Sequence, residues 1–146
     1  MPFYNIHELD KKSGRINPKI ESAAVVGEFM KFGIVQKAEG EGPPLHEHPN
    51  EEQFTVIIEG EMHFVLGDED KVVGPGTLVH IPRNTRHRSR PVNGPATFLT
   101  VKSPAGDGNL DQDYQLRPEA EEIEALYPGT QYSTLSHTGI DFNTLD

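Results

Sequence analysis

At 146 residues the chain suits one domain with a single buried core. It has no cysteine and no tryptophan, which excludes disulfides, thiolate nucleophiles and thiolate metal sites. A formal net charge of −10 argues against nucleic acid or an anionic membrane surface as the main partner. No apolar run approaches the length of a membrane span and no basic-then-apolar signal segment opens the chain, so a soluble cytoplasmic protein is expected.

Taken in order, residues 1–22 mix polar groups with two punctuation points, Ser13-Gly14 and Asn17-Pro18, and predict an arm with one short strand. From Ala23 to Lys37 the apolar content rises, broken by Gly27 and Gly33, which predicts two strands or one bent strand. A turn at Glu39–Pro44 leads into Leu45-His46-Glu47-His48. The β-branched run within Gln53–Glu59 ends at Gly60, and Met62, Phe64 and Leu66 then alternate with other residues up to a hairpin turn at Gly67–Asp70. Val72-Val73 begins the return, Gly74-Pro75-Gly76 turns again, and strands are predicted at Thr77–Ile81, His87–Arg90 and Ala96–Lys102. Pro118 to Tyr127 reads as a helix, with proline in the first turn, acidic residues near the positive end and Ile123, Leu126 and Tyr127 on one stripe. The helix is expected to pack outside the barrel as a cap or a dimer contact, and Pro128-Gly129 stops it. The division is an arm over 1–22, a barrel over 23–103 and a tail over 104–146.

On a strand, residues two apart share a face, so His46 and His48 present both imidazoles to one point. Alone, that pair is better explained by two solvated loop histidines. Its setting changes the balance. Gly40 is followed by five residues and His46-Glu47-His48; four more residues lead to Gln53, and six more to Gly60. Downstream, Gly76 is followed by five residues and Pro82, with Asn84 two places on and His87 five places after the proline. These stretches resemble the two motifs of the cupin superfamily, in the same order, over about residues 23–103. The resemblance implies an all-β fold, a double-stranded β-helix or jelly-roll barrel, here with a short C-terminal helix. It also implies one divalent metal ion (zinc, nickel, manganese or iron) held by His46, His48 and His87. Asn84 stands where the second motif has glycine, and asparagine adopts the left-handed conformation at modest cost. Pro91 replaces that motif's terminal asparagine.

For the fourth ligand, the motif's spacing favours Gln53; Glu52 is the alternative, which would need seven residues before Gly60 and hence a bulge. A neutral amide leaves a three-imidazole divalent site at a higher net charge than a carboxylate would, hence a stronger Lewis acid and a poorer stabiliser of ferric iron. Glu52-Gln53-Phe54-Thr55 also resembles a subset of cupins with glutamine at this point. They include the small pectin-degradation cupins that linearise unsaturated uronates, and a cupin-fold polyketide cyclase is similar. The acid and arginine of the uronate-converting cupins are replaced here, where the matching positions read Thr100, Lys102 and Gly106; Lys102 is the remaining source of positive charge.

Acid–base candidates are Glu52, beside Gln53, and His63 or His80 if either points inward; both histidines are more simply partly exposed strand residues. His7 and His137 read as surface groups. Arg86, Arg88 and Arg90 alternate with His87 and are expected to face away from the metal, on the surface or at a dimer interface. Arg83, near the barrel mouth, is a candidate for an anionic substrate group. The acidic runs at 51–52, 68–70 and 119–124 read as solvated turns and a helix face. Tyr114 and Tyr132 lie in a tail able to fold over the opening. The leading expectation is a Lewis-acid enzyme (isomerase, cyclase, lyase or hydratase) acting on a small oxygen-rich molecule. A quercetin-type dioxygenase and a non-catalytic binding barrel are the competing readings, and a homodimer is expected from the resemblance.

Overall fold

In a computed structural model that describes residues 2–14, 18–108, 110 and 113–127, the elements follow one another as nine strands and a helix. They are β1 (Lys12–Ser13), β2 (Ile20–Val26), β3 (Lys31–Lys37), β4 (His46–Glu47), β5 (Glu52–Leu66), β6 (Glu69–Val73), β7 (Leu78–Ile81), β8 (His87–Ser103), β9 (Gln115–Leu116) and α1 (Ala120–Leu126). No helix among the described residues is long and apolar enough to cross a membrane.

Two long antiparallel strands organise the jelly roll. β5 and β8 pair from Glu52↔Ser103 to Leu66↔His87. The first half of β5 lies between β7 and the second half of β8, which in turn pairs with β3 and, through it, with β2. The second half of β5 lies between β6 and the first half of β8, whose end carries β4. The sequence reading divides each of these strands in two. They are continuous because the bend is absorbed without ending the pairing, through register shifts between Ile57 and Glu61.

Those shifts exchange the parity of the buried face. Gln53, Thr55 and Ile57 point inward before the bend, and Met62 and Phe64 after it. Gly60 makes the bend possible: its φ is +81°, and a Cβ there would collide with the Pro95 carbonyl oxygen and come within 2.8 Å of Ala96 Cα. Gly60→Ala is expected to lower unfolding free energy by at least about 1–3 kcal/mol, the usual cost of a left-handed non-glycine residue, as read by urea denaturation. A ΔΔG near zero would show that the bend does not need glycine.

Three rungs across β3, β8, β5 and β7 describe the interior. Val35↔Phe98↔Ile57 is apolar and belongs to the main core with Met62, Phe64 and Ile81. Gly33↔Thr100↔Thr55↔Val79 is mixed, and Lys31↔Lys102↔Gln53↔Ile81 carries two lysines and an amide into buried positions. Polarity thus rises toward the end of the roll from which the 48–51 turn departs.

The helix has acidic Glu121 and Glu122 in its first turn, which suits the dipole, but seven residues are too few for a helix to stand alone. Tertiary packing holds it: Ala120 and Ile123 join Leu45 and Val65 in a second apolar cluster with Leu116 and Tyr127. Arg88 and Arg90 do not lie on the surface as expected. Both are fully buried and paired with Glu124 of α1, while Arg86 pairs with Glu119 and Asp68. The helix converts that face of β8 from solvent-facing to interior, so the 119–124 run is not simply a solvated helix face.

Candidate metal centre

His46 lies on β4 and His87 begins β8; the two are direct cross-strand partners, which brings segments 41 residues apart in sequence into contact. His48 follows on the same side of the chain as His46. The ring centroids are 4.3 Å apart for His46 and His87, 4.9 Å for His48 and His87, and 5.0 Å for His46 and His48. One ligand nitrogen from each ring lies within 4.8 Å of the others, and all three residues are buried.

Hydrogen bonds settle which nitrogen each ring turns to the common centre. Nδ1 of His46 lies 2.7 Å from the Pro44 carbonyl oxygen, that of His48 2.9 Å from Asp113 O, and that of His87 3.0 Å from Thr85 O. A carbonyl only accepts, so each Nδ1 carries the proton and donates, leaving Nε2 as the basic, lone-pair nitrogen. This is how metal-binding histidines are held and oriented. At the other end of the second motif, Asn84 has φ +59°, in the left-handed region expected for it, and its N–H donates to His48 O at 3.0 Å.

Gln53 is fully buried. Its Nε2 donates to Thr55 Oγ1 at 3.0 Å, Thr55 Oγ1 donates to Thr100 Oγ1 at 3.4 Å, and Gln53 Oε1 has no hydrogen-bond partner among the described residues. An amide oxygen buried without a donor is costly unless something else meets it, and a cation does. Glu52 points the other way: its carboxylate accepts a 2.6 Å hydrogen bond from His80 Nε2, with both side chains about half exposed. His80 also stacks on Phe54. His63 is on the outer face of β5, where Nε2 donates to Asp70 at 2.9 Å and the ring meets Tyr127. That hydrogen bond, helped by one from Tyr127, holds the Asp70 carboxyl below its usual range, while burial and the same partner push the Tyr127 phenol up. None of Glu52, His63 and His80 is brought to the three histidines: the pleat turns Glu52 and His80 to the half-exposed face, and His63, expected to be partly exposed, is buried on the opposite side of β5 from Met62 and Phe64, against Tyr127. Arg83 is exposed on the rim of an open polar hollow with Asn50, Glu52, Asn84 and Ser103. His7 is exposed, and His137 and Tyr132 lie outside the described residues.

Glu51, Lys31 and Asp113 escaped the sequence reading as parts of the site. Glu51 is buried and bonded to Lys31 Nζ at 2.6 Å; burial pushes its carboxyl above the ordinary value against the opposing pull of Lys31 and Lys102. Asp113 supplies the His48 acceptor, and Tyr114 stacks on His46 with ring centroids 4.5 Å apart and planes at 23°. Tyr114 was expected in a tail able to fold over the opening, and it lies over His46. Nothing near Lys31 or Asp113 in the sequence signals the site, because each reaches it across the fold; Glu51, between His48 and Gln53, was expected in a solvated turn and is instead buried. Lys102 Nζ donates to Leu110 O at 2.7 Å.

A jelly roll with three convergent, carbonyl-oriented histidines and a buried amide oxygen defines a class of small β-barrels built around a single polar centre. Residues 33–102 match the cupin domain family, and that stretch of the chain is a cupin domain. Among solved structures it is similar to KdgF from Halomonas sp., with a TM-score of 0.67 at 20% identity over 74% of this chain and 97% of that one. An RmlC-like cupin from Shewanella frigidimarina gives 0.64 at 17% identity over 73% and 93%. A sugar phosphate isomerase of the cupin superfamily from Silicibacter pomeroyi gives 0.60 at 19% over 70% and 75%. At such identities these likenesses establish the fold. No curated protein matches the sequence.

Proposed function

We propose that the chain is a mononuclear metalloenzyme of the Lewis-acid type, an isomerase, cyclase or lyase acting on a small oxygen-rich molecule. The observation that carries the reading is the convergence of the His46, His48 and His87 rings with Nδ1 of each committed to a carbonyl. Nε2 of each histidine and Oε1 of Gln53 would hold one divalent ion, zinc, nickel, manganese or iron. Such an ion supplies polarisation of a carbonyl and a counter-charge for an enediolate. The chain's own contribution is a neutral donor set, which keeps the full positive charge at the centre. Thr55 and Thr100 orient the Gln53 amide, and the buried Lys31, Lys102 and Glu51 line the same end of the roll. The similarity to a sugar phosphate isomerase of the cupin superfamily supports a sugar-like substrate class.

Gln53→Ala is expected to weaken zinc retention at least as much as the roughly 10–100-fold that follows loss of an outer hydrogen-bond partner, read in a chelator competition, while Glu52→Ala leaves it unchanged. The reverse order would place the fourth ligand at Glu52. Metal-loaded protein screened anaerobically against uronates and sugar phosphates should show turnover; activity that appears only with dioxygen would replace the Lewis-acid reading with the dioxygenase one.

A further inference from the structure

We propose that segment 113–127 is an integral part of the metal centre and that Glu124 is a positioning residue for His48. The three histidines are not held alike. His46 and His87 donate to carbonyls two residues upstream, on their own segments, whereas His48 donates to Asp113, 65 residues away. Asp113 also fixes the turn that follows His48: its carboxylate accepts from Asn50 N at 2.6 Å, Asn50 Nδ2 at 2.7 Å and Glu51 N at 2.7 Å. Tyr114 then covers His46, β9 pairs with β4 through His46↔Leu116 and Glu47↔Gln115, and Arg117 N donates to Leu45 O.

A two-residue strand and a seven-residue helix do not hold a segment in place by themselves. The polar anchor is Glu124. Its Oε1 accepts from Arg88 Nε at 2.6 Å and Arg90 Nη2 at 2.8 Å, and its Oε2 from Arg88 Nη2 at 3.1 Å and Arg90 Nη1 at 3.3 Å. Both guanidinium groups are fully buried, so removing the carboxylate leaves two desolvated cations with the helix above them. The expected response is loosening of α1 and of the chain leading into it, which carries the His48 acceptor but not those of His46 and His87.

The metal arm of the test rests on the function proposed above; the ring arm does not. Full-length, metal-free protein with 15N-labelled histidine is compared by ring NMR in the wild type and in Glu124→Ala, with zinc affinity measured by chelator competition. In the wild type all three rings should be Nδ1–H tautomers. In the variant His48 alone should become a tautomer mixture, zinc affinity should fall about 10–100-fold, and Glu124→Gln should recover most of both. If Glu124→Ala does not fold, Arg117→Ala, a change on the same segment that releases its 3.3 Å pair with Glu47 of β4, should give the same His48-selective change at smaller size. An unchanged His48 ring, or equal change in all three, overturns the proposal. Failure of wild-type protein to bind zinc, nickel, manganese or iron removes the proposed function and leaves the ring result to decide this one.

Discussion

A His87→Ala chain is expected to carry no stoichiometric divalent metal and to gain no thermal stability when zinc is added. Wild-type protein should gain about 2.7 kcal/mol at a zinc concentration 100 times its dissociation constant, since ligand that binds only the folded state stabilises it by mass action. The loss in the variant should exceed the roughly 10–100-fold that follows removal of an outer hydrogen-bond partner, because one of three convergent nitrogens is gone. His87 is the informative choice. It is the member of the trio contributed by β8, so its removal tests whether the two motifs meet at a single centre. The thermal comparison is made with and without chelator, which separates lost binding from the intrinsic cost of deleting a buried ring and its hydrogen bond to Thr85. A zinc-dependent shift equal to that of the wild type would show that His87 is no ligand.

Lys31→Met should destabilise the fold by about 3 kcal/mol at neutral pH, the low end of the roughly 3–5 kcal/mol for breaking a buried pair, and lower Tm by roughly 10 °C. Lys31 is fully buried, and its 2.6 Å bond is the hydrogen bond on Glu51 Oε2; Glu51 Oε1 has none among the described residues. Without the ammonium, the carboxylate must either stay charged in a poorly solvated place or take up a proton, and burial already pushes it toward the second. Protonation caps the loss, hence the low end of the range. The double variant Lys31→Met/Glu51→Gln should recover much of it, since neither charge of the pair is then left behind and Lys102 keeps its hydrogen bond to Leu110 O. A single variant as stable as the wild type would mean that the pair contributes nothing to the fold. Calorimetry on metal-free protein gives the cleanest reading.

Local order along the chain determined a good deal of this protein. The alternation of apolar residues, the glycine and proline punctuation and the β-branched runs specify where most of the strands lie. The spacing of two is enough to place His46 beside His48 and Gln53 opposite to Glu52, because side chains on a strand change face at every residue. Resemblance to the two cupin motifs picked out both histidine segments of the candidate site, and Asn84 was legible as a left-handed residue. The continuity of β5 and β8 was not legible, since a bend built from Gly60 and register shifts looks, in one dimension, like a strand end. Nor was the burial of Arg88 and Arg90: alternation says only which face a side chain takes, and what covers that face comes from a helix more than thirty residues further along. Only tertiary structure decided that Asp113 orients His48 and that Tyr114 covers His46. Periodicity and spacing act between neighbours in the chain, whereas a hydrogen bond across 65 residues exists only once the fold has brought its two ends together.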